Sequence, residues 1–74
     1  MTEAEAIAEA RIVAAQRGYP WLEPVKAWRH RPWFYFFGRT RITVKTNANS
    51  HGGNIWAAFD EKSGELIEIG FARR

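Results

Sequence analysis

The chain has 74 residues, no cysteine and a net charge of +3, with four Trp, two Tyr and five Phe. That length reads as one domain with a modest core, which must be held by aromatic burial or by assembly because no disulfide is available. The absence of cysteine also excludes Cys-based zinc and redox sites, and the basic balance is weaker than a dedicated nucleic-acid binder needs.

Residues 2–17 read as a helix. Thr2 and Glu5 have capping-box spacing, Glu3 and Glu5 suit the positive helix start, and Ala4, Ala6, Ala8, Ala10, Ala14 and Ala15 favour helix. Gly18 and Pro20 mark its end. At 100° per residue, Ala4, Ile7, Ala8, Ile12, Ala14 and Ala15 share one broad arc, interrupted by Arg11. This arc is expected to lie on a sheet, leaving Ala6, Ala10 and Val13 to fill in beside it or to meet another chain. The acidic, Ala-rich start does not read as a signal peptide, and no apolar run approaches the length of a membrane span, so a cytoplasmic location is expected.

Residues 18–24 carry two prolines and form a loop, whose Tyr19, Trp21 and Leu22 are expected to fold back over an edge of the core. Residues 25–31 read as a short strand, with Val25, Ala27 and Arg29 alternating against Lys26, Trp28 and His30, and Pro32 closes it.

Residues 33–46 are the longest β-like run. Its even positions, Phe34, Phe36, Gly38, Thr40, Ile42 and Val44, are apolar or small and read as the core face. Its odd positions, Trp33, Tyr35, Phe37, Arg39, Arg41, Thr43 and Lys45, begin aromatic and end basic. An outer face of an antiparallel sheet is normally polar. Three arrangements account for its aromatic end: cover by the chain's own loop, an exposed patch that meets a partner or a second copy, or a bulge at Gly38 that flips the register.

Residues 47–53 are rich in turn formers. Gly52-Gly53 precedes a strand and not a helix, so a hairpin loop is expected there in place of a phosphate cradle. Residues 54–60 read as a strand with Ile55, Ala57 and Phe59 against Trp56 and Ala58. Residues 61–64 are a hairpin turn closed by Asp60 and Gly64, and residues 65–71 the last strand, with Ile67, Ile69 and Phe71 on one side. The predicted fold is α+β: one N-terminal helix packed across a four-stranded antiparallel meander.

Ala4–Ala10 resembles the opening helix of PepSY-type domains, and Phe59-Asp60-Glu61-Lys62-Ser63-Gly64-Glu65-Leu66-Ile67 resembles their closing hairpin. The same plan, with Gly-Gly before a Trp-bearing strand, is similar to short cystatin-like proteins of the bacterial immunity type. These resemblances imply a non-catalytic module that binds a peptidase or a toxin. The basic, aromatic middle of this chain departs from both groups, and no family site residue carries over.

No hydroxyl residue lies in a nucleophile motif, and His30 and His51 lack metal-ligand spacing, so neither an enzyme nor a metal or cofactor site is expected. The expected function is protein binding through Trp33, Tyr35, Phe37, Arg39 and Arg41, with Trp28 or Trp56 as neighbours. These are residue types that dominate interface energetics. The alternatives are single-stranded nucleic acid on the same face, where aromatics would stack bases, or a homodimer through the aromatics.

Overall fold

The computed structural model describes residues 1–31, 40–50 and 52–72. In chain order they form α1 (Glu3–Gln16), β1 (Lys26–His30), β2 (Arg41–Lys45), β3 (Asn54–Asp60) and β4 (Leu66–Ala72). The strands make one antiparallel sheet in the order β1-β2-β3-β4, the predicted meander.

Both ends of α1 follow from local sequence. Thr2 Oγ1 accepts the Glu5 N–H at 3.1 Å while Glu5 Oε1 accepts the Thr2 N–H at 2.9 Å, so two backbone donors that the helix leaves free are satisfied reciprocally. Hydrogen bonds from Thr2, its backbone N–H first, hold the Glu5 carboxyl below the usual carboxylate range. A depressed carboxyl favours the folded state above its unfolded value, so this contribution fades as pH falls through the acid range. At the other end Gly18 takes φ +72°, the Gly18 N–H donates to Ala15 O and the Tyr19 N–H to Ala14 O. These two bonds form a Schellman motif, which a residue with a Cβ would strain at position 18.

The face that α1 buries differs from the expected arc. Ala6, Ala10 and Ala14 are fully buried, Ile7 and Val13 flank them half-buried, and Ile12 is 53 % exposed. Ala4, Ala8 and Ala15 are exposed as well. The reason lies on the sheet: Ile42, Val44 and Phe59 fill the space under the helix, and the alanine stripe at i, i+4, i+8 lets the backbone come down onto them. The chain therefore puts its bulk on the sheet and its small side chains on the helix. Ala6 and Ala10 are core, not a surface for another chain.

Strand parity follows the sequence where it is described. Ile42, Val44, Ile55, Ala57 and Phe59 are buried on the helix side. Arg41, Thr43 and Lys45 alternate with them and fall on the outer face. The expected aromatic start of the long run, 33–39, lies outside the described residues. In β4 the alternation fails at one point. Phe59 pairs with Leu66 where Ala58 pairs with Glu68, so β4 carries one extra residue there, a bulge at Ile67. Leu66 packs against the core in its place and Ile67 is 42 % exposed, a departure from the single side expected for Ile67, Ile69 and Phe71.

The 18–24 loop closes the helix side. Trp21 packs on the core with Arg11 over its ring at 6.0 Å, and Tyr19 stacks on Phe71 at 5.4 Å. Leu22, expected to join them, is 43 % exposed, and instead its carbonyl accepts the Asn47 N–H at 2.8 Å. Arg29 binds Glu3 Oε1 at 3.0 Å and Glu61 Oε2 at 2.7 Å, linking the helix start to the β3–β4 turn. Both pairs are solvent-exposed and worth at most about 1 kcal/mol each. That turn is built as the sequence predicts: Asp60 Oδ1 accepts the Lys62 and Ser63 N–H groups and Gly64 takes φ +74°.

Candidate interaction surface on the outer sheet face

α1 covers the sheet on one side only, so the other side is read row by row from the strand register. The first row runs Lys26–Lys45–Trp56–Gly70 from β1 to β4, the second Trp28–Thr43–Ala58–Glu68, and the third His30–Arg41–Asp60. Neighbours within a row stand about 5 Å apart at Cβ, and successive rows about 7 Å apart along the strands.

The first row carries the least expected chemistry. Lys26 and Lys45 are cross-strand partners, and directly opposed like charges cost stability. Among the described residues no carboxylate pairs with either, and the ion pairs present are those of Arg29 with Glu3 and Glu61. Arg41 likewise makes no ion pair among the described residues, although Asp60 is its cross-strand neighbour. Asp60 is buried, and its Oδ1 is engaged by the turn backbone.

Two tryptophans flank the lysines. Trp28 is 42 % exposed in the second row and Trp56 39 % exposed in the first. Trp56 lies flat across the neighbouring strand: a Cβ added at Gly70 would stand 2.8 Å from Cε2 and Cη2 of its ring and closer still to Cζ2. Gly70 is therefore required for space, and its absent side chain is what lets the indole rest on the β4 backbone with its outer side toward solvent. Gly70→Ala is expected to lift the indole. The tryptophan emission should shift to the red, a shift that disappears in a Trp56→Phe background. Thermal stability should change by no more than about 1 kcal/mol, because the ring has room to swing outward.

Of the residues singled out in the sequence, Arg41 is placed on this face, with Trp28 diagonal to it in the next row and Trp56 two rows away beside Lys45. Trp33, Tyr35, Phe37 and Arg39 lie outside the described residues. Sequence reasoning missed the opposed lysines, and it missed Gly70 as the seat of Trp56. The isolated glycine in an otherwise branched strand was the available signal for the second.

Elsewhere, a groove of about 430 Å³ runs between α1 and the β3–β4 turn, lined by Glu5, Glu9, Lys62 and Ser63 among others. Among the described residues no group of three His, Asp or Glu side chains is arranged to hold a metal ion. No described helix is long and apolar enough to cross a membrane. No protein-family model matches the chain, and no curated protein or solved structure matches it either.

Proposed function

We propose that this protein is a non-catalytic binding module that holds an acidic protein partner on the outer face of its sheet. The observation that carries the reading is the Lys26–Lys45 opposition, left without a carboxylate among the described residues and set between two half-exposed tryptophans. A surface that opposes like charges gives up stability which a carboxylate-bearing partner restores on binding. Exposed indoles beside cations supply the apolar anchor and the charged surround of an interface hot spot. Arg41 belongs to the same face; Trp33, Tyr35, Phe37 and Arg39, which lie outside the described residues, share its odd-numbered alternation in the sequence. The likeness of the opening helix and closing hairpin to PepSY-type domains points to the same non-catalytic role.

Lys45→Glu separates a binding role from a structural one because the two effects have opposite signs. The variant replaces a repulsive pair by an attractive one, so stability should hold or rise by roughly 0.2–1 kcal/mol. Binding of the acidic partner, isolated by affinity capture with the wild-type protein, should weaken by about tenfold or more, equivalent to about 1.4 kcal/mol. Unchanged affinity would remove the face from consideration. A parallel titration with single-stranded DNA at two salt concentrations tests the other partner class. Tight binding that falls steeply with salt would replace the protein partner by nucleic acid.

A further inference from the structure

The two edges of the sheet are guarded differently. β1 carries Lys26, Arg29 and His30 within five residues, and α1 packs over it. β4 carries one charged residue, Glu68, in seven, has no proline, and is not reached by α1. Among the described residues no strand pairs with its outer side. Sheet edges are normally protected by charge, proline or cover, and the bulge at Ile67 blunts only the first residues of β4.

Alternation identifies the free backbone groups. The Thr46 N–H donates to Ile55 O, so Ile55, Ala57 and Phe59 turn their backbone groups toward β2, and Asn54, Trp56 and Ala58 turn theirs toward β4. The partners of those last three are Ala72, Gly70 and Glu68. Ile69 and Phe71 therefore direct their N–H and C=O groups away from the sheet.

We propose that β4 pairs antiparallel with the β4 of a second copy about a two-fold axis at Ile69, joining two four-stranded sheets into one. In this register all seven residues of each strand overlap. Ile69 faces the partner's Ile69, where the free backbone groups of both meet in phase, and the free groups of Phe71 face the bulged Ile67 in both directions. Glu68 faces the partner's Gly70, so no like charges oppose. An axis at Glu68 would set two carboxylates face to face, and one at Gly70 would shorten the overlap to five residues. This interface uses neither Lys26, Lys45 nor Trp28, so it stands or falls independently of the outer-face reading.

Sedimentation of the wild-type chain from micromolar to millimolar concentration is expected to show a monomer–dimer equilibrium. Ile67→Lys places a charge at each end of the new pairing and should raise the dimer dissociation constant by about tenfold or more. The chain has no cysteine of its own, so single-cysteine variants report the register directly. Hydrogen-bonded antiparallel partners lie about 5.5 Å apart at Cα, within disulfide reach. Ile69→Cys should therefore crosslink to itself under mild oxidation, and the exposed control Ile12→Cys should not. A wild-type monomer at every concentration, an Ile67→Lys dimer of unchanged strength, or crosslinking of Ile12→Cys as fast as Ile69→Cys would each overturn the proposal.

Discussion

Ala10→Leu is expected to cost about 1–3 kcal/mol, while removing most of a larger apolar side chain two residues away on the opposite side of the helix, in Ile12→Ala, should change stability by less than about 0.5 kcal/mol. The contrast follows from where the helix sits. Ala10 is fully buried in the cluster of Ala6, Ile42, Val44, Ala57 and Phe59, so three extra heavy atoms must push the helix off the sheet or force those side chains from their rotamers. Ile12 is 53 % exposed and gives up little contact. For a domain of this size 1 kcal/mol moves Tm by roughly 4–8 °C, so thermal melting of the two variants resolves the difference. If Ile12→Ala were the more costly of the pair, the helix would be seated on the arc that runs from Ile7 to Ile12, and the alanine stripe would be wrong.

That helix shows where sequence stops determining structure. Its ends were legible because Thr2, Glu5 and Gly18 act on backbone groups within a few residues of themselves. Its buried face was not, because alanines lie on nearly every side and the choice belongs to the sheet, whose Ile42, Val44 and Phe59 accept only small partners. β3 was legible to the residue. Gly52 and Gly53 precede it, Asp60 closes it, and Ile55, Ala57 and Phe59 take the core side between them, although Ala58 opposite them is buried as well. β4 was not, because the bulge at Ile67 has no residue-level signature: no glycine or proline marks it. The outer face divides in the same way. Alternation alone places Arg41 and Lys45 outside. The opposition of Lys26 to Lys45 is a property of register, which no residue type announces. The flat seat of Trp56 combines both, since the glycine is visible in the chain but the indole that needs it lies on another strand.

Asn54→Ala is expected to lower stability by about 2–4 kcal/mol, from several hydrogen bonds each worth roughly 0.5–1.5 kcal/mol net. The Asn54 Nδ2 group donates to Thr46 O and Asn47 O at 2.9 Å and to Ser50 O at 3.3 Å, and Oδ1 accepts the Gly52 N–H at 2.9 Å. One buried amide thus closes the connection between β2 and β3. Asn54→Asp tests the same claim with nearly unchanged shape. It keeps the acceptor for Gly52 but turns the donor into a carboxylate facing carbonyl oxygens, which raises its folded-state pKa above the unfolded value of about 3.9. A raised carboxyl favours folding only while protonated, so the Asn54→Asp protein should lose stability relative to wild type as pH climbs from about 4 toward 7. Denaturant unfolding at several pH values measures this. A pH-independent difference would mean that the loop yields and lets water reach the side chain. The consequence extends to the outer sheet face proposed to bind a partner. Thr46 and Asn54 follow and precede the strand segments that hold Lys45 and Trp56, and the same loop anchors the lead into β1 through Asn47 N–H to Leu22 O and Ala48 N–H to Pro24 O. Loosening it relaxes the first row at three of its four positions, so Asn54→Ala should weaken acidic-partner binding as well as stability, whereas Ala10→Leu should act mainly on stability.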